Sequence, residues 1–150
     1  MKKILFATIA SLGLASAALA HDEGHGPKMS DTGKYGGIVT GVGAKADANK
    51  GAHASATHKA ELVRSADGAV RLYVYDTMMK PVDLKGLDAK AAATVYSGSK
   101  TKKTKSEFPL EQKEGSFVGT LPKDVKAPYS VEVTLKQGGK DLLAAFQNLD

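Results

Sequence analysis

The chain has 150 residues, a formal net charge of +5 and no cysteine. Its length predicts one domain after removal of an export signal, and the lack of cysteine excludes disulfides, thiolate metal sites and a cysteine nucleophile. Lys2 and Lys3 belong to that signal, so the charge falls from +5 to +3 on export, which does not indicate nucleic-acid binding.

Residues 1–20 have the pattern of a cleavable secretory signal peptide. Two lysines form a basic start, a mostly apolar stretch covers 4–14, and Ala18-Leu19-Ala20 has the small residues that precede a cleavage site. The apolar stretch is shorter than the roughly 20 residues of a membrane-spanning helix. We therefore expect a periplasmic or secreted protein with no membrane span after cleavage, whose mature chain begins at His21.

Residues 21–34 are predicted to form a flexible arm in front of the domain. They show no hydrophobic periodicity, and nearly all of them are polar, charged or glycine. The domain itself is predicted to cover 35–150, where the composition changes to short apolar and polar alternation.

Alternation with a period of two runs through most of 35–150 and predicts β-strands. Val70, Leu72 and Val74 share one face of such a run, and Asp67-Gly68 forms a turn typical of a hairpin. The predicted strands are 35–42, 57–65, 69–76, 91–97, 101–110, 116–121, 129–136 and 140–147.

Seven or eight short antiparallel strands separated by turns are typical of an immunoglobulin-like sandwich, and we predict this all-β fold. A small barrel is the alternative. Helices are also possible at 83–92 and 141–147, although Gly86 weakens the first. The lysine-rich run 101–110 contains Pro109, so we interpret it as an edge strand.

The histidines are the first candidates for chemistry. If cleavage leaves His21 as the first residue, its ring and the free α-amino group can chelate one ion together. His25 or His53 would then complete a nitrogen-rich site that suits Cu(II). The alternative is that a polar residue merely follows the cleavage site. His58 has the same parity as Leu62 and is interpreted as a partly buried structural residue.

Met78 and Met79 are the second candidates, because they fall in a predicted turn before Pro81. Methionine normally fills gaps in cores, whereas an exposed thioether is a ligand that selects Cu(I). The alternative is that one of the two methionines anchors the connection to the domain.

Four short motifs follow one another in the chain and carry a family resemblance. They are Lys34-Tyr35-Gly36-Gly37-Ile38-Val39, Ala60-Glu61-Leu62-Val63, Leu72-Tyr73-Val74-Tyr75-Asp76 and Lys80-Pro81-Val82. On these motifs, the chain over about residues 21–136 resembles small exported bacterial proteins with a histidine-rich arm. It is also similar to the N-terminal region of periplasmic adaptor subunits of heavy-metal efflux pumps. The resemblance implies a β-sandwich in a metal-handling environment, with a periplasmic efflux or other cell-envelope protein as partner.

The sequence departs from that family pattern at two positions. Tyr35 stands where the family pattern has a histidine before Gly-Gly, which removes one metal ligand. Met79 stands where the family turn has a glycine, which adds a softer donor.

No enzyme signature is present: the sequence has no G-x-S-x-G, no H-E-x-x-H and no phosphate-binding loop. We therefore expect a non-enzymatic protein that buffers or delivers copper or another divalent metal ion, or assists its efflux. Its ligands are predicted to be His21, His25, His53, Met78 and Met79. The alternative is a structural or interaction domain that binds a protein partner in the cell envelope and has no metal role.

Overall fold

The computed structural model describes residues 32–53, 55–99 and 102–150. The described residues form eight strands and two short 3₁₀ segments, and none of them forms a helix long and apolar enough to cross a membrane. The strands are β1 (Ile38–Ala44), β2 (Ala56–Arg64), β3 (Ala69–Tyr75), β4 (Lys90–Ser99), β5 (Lys102–Lys113), β6 (Ser116–Thr120), β7 (Tyr129–Gln137) and β8 (Lys140–Leu149). The 3₁₀ segments are Lys45–His53 and Leu84–Gly86.

The strands form one closed antiparallel barrel in the order β1-β2-β3-β6-β5-β4-β7-β8. The all-β antiparallel prediction is confirmed, but the immunoglobulin-like sandwich is corrected to the barrel that was its alternative. The sheet closes because β8 pairs with β1, where Ala144 lies opposite Val42. Sandwiches and barrels both need strands with one buried face, so local alternation alone does not separate the two folds.

The core fills the inside of the barrel with the inward-facing residues of every strand. In β7, for example, Tyr129, Val131, Val133 and Leu135 are buried, while the residues between them are partly exposed. Removing one such aliphatic side chain from water stabilises the fold by roughly 1.5–3 kcal/mol. The same alternation makes β8 a strand, so the helix considered at 141–147 is not formed.

The helix considered at 83–92 is reduced to the single 3₁₀ turn Leu84–Gly86. Asp83 caps this turn, because its carboxylate accepts a hydrogen bond from the N–H of Lys85 at 3.0 Å. The side-chain amide of Gln112 donates to the carbonyl oxygens of Leu84 and Leu87 at 3.0 and 3.1 Å. Hydrogen bonds from Gln112 thus hold the connection from β3 to β4 against β5 without a longer helix.

The interpretation of 101–110 as an edge strand is wrong, because β5 lies between β4 and β6 in a closed barrel. β5 pairs with β4 from Lys102 to Glu111, but among the described residues its pairing with β6 covers only Glu111–Lys113. The lysine-rich half of β5 therefore has a strand partner on one side, where Pro109 is tolerated.

Neighbouring strands alternate in direction, so the connections fall into two groups. The connections after β1, β3, β5 and β7 all lie at one end of the barrel, which we call the upper end. This end contains the segments 45–55 and 76–89, in which three of the predicted ligands occur.

Candidate functional site

Two of the candidate metal-ligating segments lie at the upper end of the barrel. His53 is the last residue of the 3₁₀ segment that joins β1 to β2. Met78 and Met79 lie in the turn that follows β3. β1, β2 and β3 are consecutive neighbours in the sheet, but the 3₁₀ segment with His53 contacts β1 and β8, whereas the methionine turn follows β3. The predicted ligands His21 and His25 lie outside the described residues.

Asp76 holds the backbone of the methionine turn. One of its carboxylate oxygens accepts hydrogen bonds from the N–H groups of Met78 and Lys80, at 2.8 and 2.9 Å. The N–H of Met79 donates to the carbonyl oxygen of Asp76 at 3.1 Å. The hydrogen bond from Lys80, and then that from Met78, hold the pKa of Asp76 below its ordinary value. The turn is therefore well ordered, and the predicted exposure is confirmed for Met78, which is 77% exposed.

The most buried charged group lies on the outer face of β2. Ala60 and Leu62 point into the core, so Glu61 points outward, yet Glu61 is 0% exposed. Its carboxylate accepts hydrogen bonds from the N–H groups of Lys34, Tyr35 and Gly37, each at 2.8 Å, and from the hydroxyl of Tyr75 at 2.7 Å. We call these residues the Glu61 clasp. The clasp satisfies a carboxylate that burial would otherwise make costly.

Residues 33–37, which we call the strap, cover Glu61 from the outside of the barrel. The ring of Tyr35 stacks on that of Tyr73, with centroids 3.9 Å apart and an interplanar angle of 18°. The ammonium group of Lys34 lies 5.5 Å from the centroid of the Tyr75 ring. The strap therefore crosses from β2 to the last residue of β3 and closes over the outer face of both strands.

Glycine is required in the strap because no space remains beneath it. A Cβ atom at Gly33 would lie 2.3 Å from Oε1 of Glu61, and one at Gly37 would lie 2.5 Å from the carbonyl oxygen of Leu62. Gly36 has a φ of +74°, a conformation that other residues adopt with strain. The two glycines of the Gly-Gly motif thus serve different purposes, one to turn the chain and one to let it approach β2.

The Glu61 clasp explains the motifs that carry the family resemblance, and sequence reasoning missed it. Gly-Gly, Glu61 and the two tyrosines of β3 come from three different motifs and meet at this one place. The available signal was a single glutamate between apolar residues in an alternating strand. These residues act structurally here, and Tyr35 is 57% exposed on top of the strap.

The clasp shifts the acidities of both of its titratable side chains. Burial acts to raise the pKa of Glu61, but the hydrogen bonds from Gly37, Tyr75, Tyr35 and Lys34 together outweigh it and hold the pKa below its ordinary value. Burial, and then the hydrogen bond to the Glu61 carboxylate, raise the pKa of Tyr75. At neutral pH the pair is therefore a charged carboxylate accepting from a neutral phenol.

A pH dependence of stability follows from the lowered pKa of Glu61. The unfolded chain takes up this proton at a higher pH than the folded chain does, so the contribution of Glu61 is complete above the unfolded pKa. It is lost as the pH falls through the folded pKa. We expect the free energy of unfolding, measured with urea between pH 7 and pH 3, to fall in this acidic window. In Glu61→Gln the fall should be smaller, and an unchanged fall would contradict this assignment.

The remaining described histidine fits its sequence interpretation. His58 is partly exposed, and its Nδ1 atom lies 3.0 Å from the hydroxyl of Thr57. Within residues 32–53, 55–99 and 102–150, no three histidine or carboxylate side chains come together in a way that could hold a metal ion. A metal site therefore needs donors other than a preformed cluster of these residues.

No family model, no curated protein and no solved structure matches the chain. The family resemblance accordingly rests on the four motifs, whose residues are accounted for by the strap, the clasp and the methionine turn.

Proposed function

We propose that this is a non-enzymatic metal-binding protein of the periplasm, which buffers or delivers copper or another divalent metal ion. The proposed donors are His21, His25, His53, Met78 and Met79. The observation that carries the proposal is the position of the N-terminal end of the strap, at Lys34.

The N-terminal end of the strap lies close to the methionine turn. Lys34 contacts the ring of Tyr75, the last residue of β3, and the turn begins with the next residue, Asp76. The charge of Lys34 also contributes to the lowered pKa of Asp76. His25 precedes Lys34 by nine residues, which span at most about 30 Å when extended. Chain length thus permits the histidines of the arm to come close to the thioethers of the turn.

The chemistry of the proposed chelate depends on the N-terminal residue. An α-amino group titrates near pH 8, so copper can displace its proton at neutral pH. The amino nitrogen and the imidazole of His21 then bind Cu(II) as a chelate, and His25 or His53 supplies a further nitrogen. Adding even one residue in front of His21 would remove the amino nitrogen from this arrangement.

The test is to titrate Cu(II), Cu(I), Zn(II) and Ni(II) into the mature protein. Mass spectrometry first verifies that its N-terminal residue is His21. We expect a submicromolar dissociation constant for Cu(II). His21→Ala, and a variant with one glycine before His21, should each weaken it at least tenfold, equivalent to about 1.4 kcal/mol. His58→Ala is the matched control and should bind as the parent does. Binding no tighter than that of a short histidine peptide would contradict the proposal.

A second candidate function is an interaction domain that binds a protein in the cell envelope. Tyr35, Ile38 and Met78 are the large apolar side chains that remain exposed among the described residues, and they lie on the strap, on β1 and just after β3. Exposed apolar groups on neighbouring elements favour contact with a partner. If the metal titration fails, this surface supports the interaction function in its place.

A further inference from the structure

The backbone hydrogen bonds of the methionine turn form without any contribution from the side chains of Met78 and Met79. The N–H groups of Met78, Met79 and Lys80 all find acceptors on Asp76. The N–H of Asp76 donates to the carbonyl oxygen of Lys80 at 2.9 Å, and a bridge between Tyr75 and Pro81 closes the base. The hydrogen bonds of the turn therefore do not depend on the side chains at the two methionine positions.

The backbone of Met79 has a strained conformation. Its φ is +61°, in the left-handed region that glycine adopts freely and other residues adopt at a cost. Strain of this kind persists where the surroundings hold it, and it concentrates at sites that need a particular side chain. Since the turn does not need methionine for its hydrogen bonds, the strain points to a use for the side chain itself.

The two side chains offer a soft pair of donors. Met78 is 77% exposed, so its sulfur is open to solvent ligands. Each methionine has three rotatable bonds beyond its backbone, which lets two adjacent thioethers reach one ion. Thioether sulfur selects Cu(I) over Zn(II) and Cu(II).

The charges around the turn favour a monovalent ion. Lys80 follows the two methionines directly in the chain, and the ammonium group of Lys34 lies over the ring of Tyr75, just before the turn. One oxygen of the Asp76 carboxylate accepts two N–H donors. Positive neighbours repel a dication more strongly than a monocation.

We propose that Met78 and Met79 form a thioether site for Cu(I), separate from the chelate for Cu(II) at His21. The inference rests on the proposed function, because it specifies which ion the methionine turn binds. It commits to the exposed Met78 and the partly exposed, strained Met79 in the turn held by Asp76, and it requires no donor from the arm.

The site can be tested with Ag(I), a redox-inert probe for Cu(I), and with Cu(I) itself under anaerobic conditions. We expect the methyl resonances of Met78 and Met79 to shift on titration of the mature protein. Met78→Leu and Met79→Gly should each weaken binding at least tenfold, while Met29→Leu, the same exchange elsewhere, leaves it unchanged. Because glycine relieves the φ of +61°, Met79→Gly should lose binding without any fall in melting temperature.

Two results would overturn the proposal. One is the absence of methyl shifts at 78 and 79 with either ion, and the other is a lowered melting temperature in Met79→Gly, which would make that side chain a packing group. The His21→Ala variant separates this inference from the proposed function. Loss of Cu(II) binding with retained Ag(I) shifts supports two separate sites, and loss of both together contradicts their separation.

Discussion

Glu61→Leu is expected to lower the free energy of unfolding by about 3 kcal/mol, because it removes the only acceptor of four hydrogen bonds in the clasp. Leucine cannot accept these bonds, so the N–H groups of the strap must either stay unpaired or turn to water. We expect the strap to detach and to expose Tyr75. Urea unfolding measures the loss, and hydrogen exchange of the Lys34, Tyr35 and Gly37 amides reports the detachment.

A double-mutant cycle isolates the contribution of the tyrosine hydroxyl. Glu61→Gln and Tyr75→Phe, made singly and together, should show a coupling energy of about 1–2 kcal/mol, since the bond is short, buried and charge-assisted. The chain offers a matched control in Tyr96, whose hydroxyl donates to Glu132 at 3.2 Å in a more exposed position.

The same cycle at Tyr96 and Glu132 should give a coupling below about 0.5 kcal/mol, because solvent competes for both groups there. Equal couplings in the two cycles would show that burial by the strap adds nothing to the bond at Glu61. Retained amide protection of the strap in Glu61→Leu would likewise contradict the role assigned to the carboxylate.

The strands that were predicted most accurately are those with clean alternation. The prediction 129–136 compares with β7 at Tyr129–Gln137, and 69–76 compares with β3 at Ala69–Tyr75. Along most of both strands every second residue is buried, so the pattern in the sequence and the pattern of burial coincide. Local alternation thus located the strands, while their closure into a barrel depends on pairs such as Val42 and Ala144 that are far apart in the chain.

The first strand shows where local patterns fail. It was predicted at 35–42, but β1 begins at Ile38, because Tyr35, Gly36 and Gly37 belong to the strap. Glu61 was missed for the same reason. At an outward position of a strand a glutamate is expected to be in water, and its burial here is caused by a segment more than twenty residues away.

The candidate site could be predicted in part. The sequence indicated a turn with exposed methionine, and Met78 is exposed there. The left-handed backbone of Met79 could not be predicted, because positive φ is common for glycine and unusual for methionine. The role of Asp76 also lay beyond the pattern, since a carboxylate before a turn has several possible hydrogen-bond partners.

The largest loss of stability is expected from Phe117→Ala, at about 3–5 kcal/mol. Phe117 is fully buried and lies in β6, opposite Leu72 of β3 on one side and Gln112 of β5 on the other. β6 has only five residues, and its pairing with β5 spans three. The pairing of β6 with β5 is therefore as short as that of β1 with β8, which also spans three residue pairs. The Phe117 ring anchors β6 to the core where few backbone hydrogen bonds can do so.

Val118→Ala is the matched control, because it changes the next residue of the same strand, whose side chain points outward and is partly exposed. We expect it to cost less than about 1 kcal/mol. In Phe117→Ala, hydrogen exchange of β6 amides should rise before that of β4 and β7, whose pairing is longer. If both substitutions cost the same, or if exchange rises uniformly, the pairing of β6 with β5 is not a weak point of the barrel.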